Sequence, residues 1–232
     1  MKTLIIIIIL TITILFVNSC RKNNDALYDG VNCSGNCYLL TGKLIDSAAT
    51  SGIADGELKF YFKDITGTFS SKTIYLGRAT TDLNGNYKFR FDGSRFKNLM
   101  GYYYAEAFSG NMFGGDLLYP NRVATFDLDT SFYNLPFIQN FPLFRPATVK
   151  VRVVASAVTS FQYLTVDYSY GKVGNGIIFN GGRSIDTTII WKTAGDLRTF
   201  IRADAVGNGV NIQKRDTLIV PTNNTRQIEI RL

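Results

Sequence analysis

The sequence predicts an all-β chain of two tandem β-sandwiches behind a leader and a polar tether. Three observations predict it. Apolar residues recur with a period of two, and no window of about 12 residues carries a helical stripe. The strand-like runs are separated by clusters of Gly, Asn and Asp, the spacing of sandwiches and barrels. The 232 residues include 17 Phe and 13 Tyr and are 46% hydrophobic and 19% charged. That is the composition of a folded chain with a core, at a length that suits one or two domains.

Residues 1–19 read as a signal peptide. Met1-Lys2-Thr3 precedes an apolar run from Leu4 to Val17, relieved only by Thr11 and Thr13, and Asn18-Ser19 leads into Cys20. The run is shorter than the roughly 20 residues that span a bilayer, which favours cleavage over an uncleaved anchor. Val17-Asn18-Ser19-Cys20 resembles the lipobox of bacterial lipoproteins, in the relaxed form common in Bacteroidota-type members; Asn18 departs from the usual Ala or Ser. The resemblance implies that Cys20 is acylated and becomes the N-terminus. Residues 20–37 then form the tether, and Arg21 in place of Asp implies outer-membrane delivery by that family's sorting rule. The implied partner is the membrane, held through the N-terminal lipid. Each buried methylene contributes about 0.8 kcal/mol, and stable anchoring takes more than one chain.

Cys33 and Cys37 close the tether in Asn32-Cys33-Ser34-Gly35-Asn36-Cys37. In an oxidising envelope compartment they are expected to pair. A loop this short contributes about 2 kcal/mol on the chain-entropy model, enough to pin the entry to the first strand. A metal site is the alternative, with an incomplete set of ligands.

The first sandwich is assigned to residues 38–119. Leu58, Phe60 and Phe62 alternate with Lys59, Tyr61 and Lys63; Tyr87, Phe89 and Phe91 alternate with Lys88, Arg90 and Asp92. Asn84-Gly85 before the second run suits a type I′ hairpin turn, which would fix the register of that run. The order Thr41-Gly42-Lys43-Leu44-Ile45-Asp46, Gly52-Ile53-Ala54-Asp55-Gly56-Glu57-Leu58 and Thr81-Asp82-Leu83-Asn84-Gly85-Asn86-Tyr87-Lys88-Phe89 resembles the carboxypeptidase regulatory-like domain. Gly52 and Glu57 depart from its pattern, in which proline and alanine stand at these places. The resemblance covers roughly a third of the chain and implies a transthyretin-like, Ig-like sandwich of the Bacteroidota cell envelope. It implies no peptidase activity, since that domain is the non-catalytic appendage of the metalloenzymes.

Residues 147–232 read as a second, Ig-like unit of six or seven strands. Val149, Val151 and Val153 alternate with Lys150, Arg152 and Val154, and Leu164, Val166, Tyr168 and Tyr170 continue the pattern. Further runs fall at Ser184–Lys192, Leu197–Ala205, Asp216–Val220 and Arg226–Leu232, so the C-terminus is expected to be a packed strand. Residues 120–146, with Pro120, Pro136, Pro142 and Pro146, read as a linker. Its six aromatic residues are too many to leave in water, so it either packs across the interdomain seam or lines a ligand groove.

With no histidine, the chain lacks the usual general base near neutral pH and the commonest zinc ligand. Neither a Gly-x-Ser-x-Gly elbow nor a Gly-x-x-x-x-Gly-Lys phosphate loop occurs. The Asp82–Asn86 stretch fails as a calcium loop, since its twelfth place is Gly93. Asp127 and Asp129 would share one face of a strand, as exposed acids, a glycosidase pair or calcium ligands do. Trp191 sits in an apolar run and is read as core, against a sugar-stacking role. No catalytic, cofactor or metal residue is assigned.

The net charge is +7, yet the basic residues alternate with apolar ones, as on the solvated face of a sheet. Nucleic acid is therefore excluded as a partner. The sequence is read as a non-enzymatic, lipid-anchored envelope protein that binds or assembles with an envelope protein or a glycan. Its alternatives are a carbohydrate-binding module using the linker aromatics or Tyr102–Tyr104, and a carboxylate-only glycan hydrolase acting through Asp127.

Overall fold

The structure, a computed structural model, describes residues 28–29, 33, 35–66, 71–115, 119–155, 161–171, 173–181, 184–207 and 210–232. The leader, Cys20 and most of the tether lie outside the described residues. Among those described, the chain is all β apart from two single-turn 3-10 helices, Ser94–Phe96 and Thr130–Phe132.

The first unit contains β1 (Tyr28–Asp29), β2 (Cys37–Asp46), β3 (Ser51–Gly52), β4 (Glu57–Asp64), β5 (Lys72–Thr80), β6 (Asn86–Asp92), β7 (Gly101–Phe108), β8 (Arg122–Phe126), β9 (Pro136–Ile138) and β10 (Phe141–Leu143). One sheet has the order β1-β5-β4-β7-β8. The other is organised on β2, which pairs antiparallel with β6 and β3 and parallel with β9 and β10. The inward sets foreseen by alternation, Leu58, Phe60 and Phe62 against Tyr87, Phe89 and Phe91, meet in one core. Their rings interlock across the two sheets, with Phe60 stacked on Phe89 at 4.3 Å.

Two expectations are corrected here. The Asn84-Gly85 turn does not make a hairpin, because β5 pairs with β4 and β6 pairs with β2 in the opposite sheet. A type I′ turn needs φ > 0 at both central residues, and only Gly85 of the pair has it, at 78°. The segment is a corner between sheets, and the motif residues hold it there. Thr81 Oγ1 accepts from Gly56 N at 2.8 Å and donates to Ile53 O at 2.6 Å. Asp82 accepts from the backbone N–H groups of Asn84 and Asn86 and from the Asn86 amide. Gly52, where the resembling family has proline, lies so close that a Cβ would stand 1.9 Å from Asn84 O.

The second correction concerns residues 120–146, read as a linker. They supply β8, which completes one sheet of the first unit, and β9 and β10, which extend the other. Phe126, Phe132, Phe137 and Phe141 join the first core. The first sandwich therefore runs beyond residue 119, and Pro136 and Pro142 stand in strands that flank β2.

The second unit contains β11 (Pro146–Ala155), β12 (Tyr163–Tyr170), β13 (Val173–Asn180), β14 (Ile185–Ala194), β15 (Arg198–Gly207), β16 (Val210–Ile219) and β17 (Thr225–Arg231). Sheets of order β14-β11-β17 and β13-β12-β15-β16 enclose a core of Val149, Val151, Val153, Leu164, Val166 and their neighbours. Trp191 is in that core, stacked on Tyr168 at 4.5 Å. β17 lies parallel to β11, and Leu232 N donates to Val154 O, so the C-terminal strand is packed as expected.

The two units are locked at a seam. Arg145 donates to Asp46 at the end of β2 through Nε at 2.8 Å and Nη2 at 2.7 Å, and Nη1 lies 3.6 Å from Asp196 of the second unit. Phe113, from the β7–β8 loop of the first unit, exchanges backbone hydrogen bonds with Phe144. Both rings pack on Tyr170 in the second core. Packed side chains and a charged bridge take the place of a flexible linker.

The titrating groups give the fold a wide pH plateau. Hydrogen bonds from Asn86, Ser94, Ser131, Arg152 and Thr222 hold Asp82, Asp92, Asp129, Asp186 and Asp196, respectively, below the ordinary carboxylate range. Burial pushes Tyr61 and Tyr168 up to about 12. The depressed carboxylates give stability that is complete above their unfolded pKa near about 4 and is lost as pH falls through the folded values. The raised tyrosines give stability that is complete below about 10 and is lost as pH rises toward their folded values. With no histidine, the midpoint of thermal unfolding is expected to be flat from about pH 5 to 8. A step between pH 6 and 7 in a calorimetric series would contradict this.

Candidate functional site

β2 runs from a cleft at Tyr38 to the seam at Asp46, so the cleft opens at the tether end of the first sandwich. It has a volume of about 430 Å3. Tyr38 of β2, Phe62 of β4 and Tyr103 of β7 reach it from the inner faces of the two sheets. Phe96 and Lys97 come from the 3-10 turn after β6, and Asp127 to Thr130 from the segment after β8. Both loops are fixed by the same local chemistry: Asp92 accepts from Ser94 N at 2.9 Å, and Asp129 accepts from Ser131 N at 2.8 Å. Gly93 keeps the first loop down, since a Cβ there would stand 2.2 Å from the Tyr38 ring.

The floor is aromatic, with Phe62 4.9 Å from both Phe96 and Tyr103. Tyr38 OH donates to Leu128 O at 3.2 Å and so ties the Asp127–Thr130 segment to β2. Tyr103 is only 5% exposed, and its hydroxyl makes no hydrogen bond with any described residue. Burial first, and the neighbouring Tyr133 second, push Tyr38 and Tyr103 well above the usual tyrosine range, so both hydroxyls stay protonated. Lys97, Asp127, Asp129 and Thr130 are exposed around the mouth.

The acids expected on a strand follow the end of β8 instead, flanking the buried Leu128. The Ser131 hydroxyl and N–H hold the Asp129 carboxyl below its ordinary value, and both acids are exposed at the mouth of the cleft.

The other sequence candidates are placed as follows. Cys33 and Cys37 are joined in a disulfide with Cα atoms 5.9 Å apart, at the entry to β2. Cys20 lies outside the described residues. Tyr104 is 6% exposed, with Tyr61 stacked on it at 4.9 Å and the Arg122 guanidinium over its ring at 4.5 Å. Its ring faces are therefore covered, and the expected Tyr102–Tyr104 sugar platform is a cross-strand stack instead. Of the linker aromatics, Phe141 and Phe144 are buried, and Phe126, Phe132, Tyr133 and Phe137 are half-buried against the first core. Asp82 is fully engaged by the corner. Among the described residues, no group of three or more Cys, Asp or Glu could hold a metal.

Sequence reasoning missed Tyr38, Phe62, Phe96, Lys97 and Tyr103 as neighbours of the two acids. The alternation of β4 and β7 marks Phe62 and Tyr103 as inward-facing, but no spacing signals an unpaired hydroxyl.

No family model and no curated protein sequence matches the chain. Solved structures with a similar arrangement include a minor pilin of Streptococcus agalactiae (10% identity, 84% of this chain and 94% of that one, TM-score 0.30). A streptococcal ancillary pilin is 11% identical over 84% of this chain and 64% of that one, with a TM-score of 0.29. The shaft pilin SpaA of Lactobacillus rhamnosus GG is 9% identical over 84% and 97%, with a TM-score of 0.27. Scores this low carry no assignment of family or function.

Proposed function

We propose that this chain is a non-enzymatic, lipid-anchored protein of the bacterial outer membrane that works by binding or assembly. The single observation that carries the reading is the seam. Arg145 between Asp46 and Asp196, with Phe113 and Phe144 packed on Tyr170, makes one stiff body of two sandwiches behind a short disulfide-closed entry. Such a body presents surfaces at a fixed geometry from a tether. The leader and the Cys20 motif support the lipid anchor, and the resemblance of the first unit to a regulatory-like domain supports a role without chemistry of its own. The basic residues support a partner other than nucleic acid. Arg152 pairs with Asp186 and Glu229, and Arg202 with Asp204, so positive charge is neutralised locally. A carbohydrate ligand is the finer reading, and the cleft favours it.

The anchor has a direct test in cells. Labelled palmitate is expected to enter the full-length chain and to be absent from Cys20→Ala, which should leave the membrane fraction. Unchanged labelling and membrane association of Cys20→Ala would overturn the assignment.

A further inference from the structure

We infer that the cleft at the tether end of the first sandwich is a binding site for a neutral, hydroxyl-rich ligand, the end of a glycan chain. This rests on the reading of the chain as a binding protein and names the site and the chemistry of its ligand. The first support is the Tyr103 hydroxyl. It belongs to a side chain more than nine-tenths buried, lines the cleft, and has no hydrogen-bond partner among the described residues. The hydroxyl itself is reached by solvent, since it is not among the fully buried unpaired atoms, so a ligand hydroxyl placed in the cleft can replace water on it.

The second support is the pairing of an apolar floor with a rim of mixed sign. Phe62 and Phe96 close the floor as nearly buried rings, so the ligand would meet it only at its rim. At the mouth, Asp127 and Asp129 accept hydrogen bonds while Lys97 donates them, and neither Asp127 nor Lys97 forms an ion pair with a described residue. A purely apolar ligand would strip water from these charges without return. A simple anion would face two carboxylates, and a simple cation would face the ammonium. Hydroxyl groups donate and accept, so a neutral sugar satisfies both signs at once. The volume of about 430 Å3 lies in the range of small-ligand pockets and suits the end of a chain.

The site is pre-organised. Tyr38 ties the Asp127–Thr130 segment in place, and Asp92 and Asp129 each cap their own loop, so a ligand need not order the site.

The test uses the full-length protein in detergent micelles, with saturation-transfer NMR and calorimetric titration. The probes are cellobiose, maltose, lactose, xylobiose and N,N′-diacetylchitobiose, with free alanine and phosphate as zwitterionic and anionic controls. At least one neutral disaccharide is expected to bind with millimolar affinity or better while the controls do not. Tyr103→Phe, which removes only the unpaired hydroxyl, should weaken binding at least fivefold with no loss of thermal stability. Asp127→Asn should weaken it at least threefold. The site is overturned if no disaccharide binds, if alanine or phosphate binds more tightly, or if both variants bind as the parent does. The palmitate experiment reads the anchored-protein assignment independently, so a failure of sugar binding with labelling intact sinks the ligand and leaves the anchor.

Discussion

Phe60→Ala is expected to lower the stability of the first sandwich by about 3–5 kcal/mol, the range for truncating a fully buried phenylalanine. Phe60 is 1% exposed and sits between sheets. Its ring stacks on Phe89 of β6 at 4.3 Å and lies 5.9 Å from Tyr87 and 6.4 Å from Phe141 of β10. Truncation removes the apolar contact, leaves a cavity walled by rigid rings that cannot collapse into it, and adds the loss of aromatic pairing of about 0.5–1.5 kcal/mol. Denaturant unfolding followed by circular dichroism should show the midpoint fall with the slope unchanged. A loss under about 1.5 kcal/mol, below the range for such truncations, would mean that the two sheets do not meet at this ring.

Phe113→Ala is expected to uncouple the two units. Phe113 leaves the first unit on the β7–β8 loop, bridges to Phe144 through both backbone hydrogen bonds, and is buried against Tyr170 in the second core. Its truncation should cost about 3–5 kcal/mol, borne by the seam. In scanning calorimetry the parent should unfold in one transition and the variant in two, because the contact through which each unit stabilises the other is gone. Two transitions in the parent, or one in the variant, would contradict the coupling. Arg145→Ala should act in the same direction with a smaller effect, since the arginine is partly exposed and water screens its charge.

Much of the fold was legible because one face of each strand is buried. Leu58, Phe60 and Phe62, or Val149, Val151 and Val153, show their period of two directly, and Trp191 and the C-terminal strand are where their patterns place them. What alternation does not carry is pairing. Thr81 to Phe89 has the composition of a hairpin, yet the chain turns a corner to the other sheet, because Ile53 and Gly56 bind Thr81 and Gly52 packs against Asn84 from 25 or more residues away in sequence. Residues 120–146 read as a linker because prolines mark breaks, whereas short strands beside β2 tolerate them. β13 was missed because Val173-Gly174-Asn175-Gly176 has the composition of a turn.

The candidate site was legible only in part. Asp127 and Asp129 were visible as a pair of acids, but the cleft draws on β2, β4, β7 and two loops. Residues that far apart in sequence leave no spacing to read, and the unpaired Tyr103 hydroxyl appears only once its surroundings are packed.

The central claim is that two sandwiches form one stiff body behind a tether. Spin labels on the exposed positions of Lys88→Cys and Arg198→Cys, one in each unit, test it most directly by pulsed electron resonance on the full-length protein. The account predicts one narrow distance distribution, broadened when Phe113→Ala is added. A broad or multiple distribution without that substitution would contradict it.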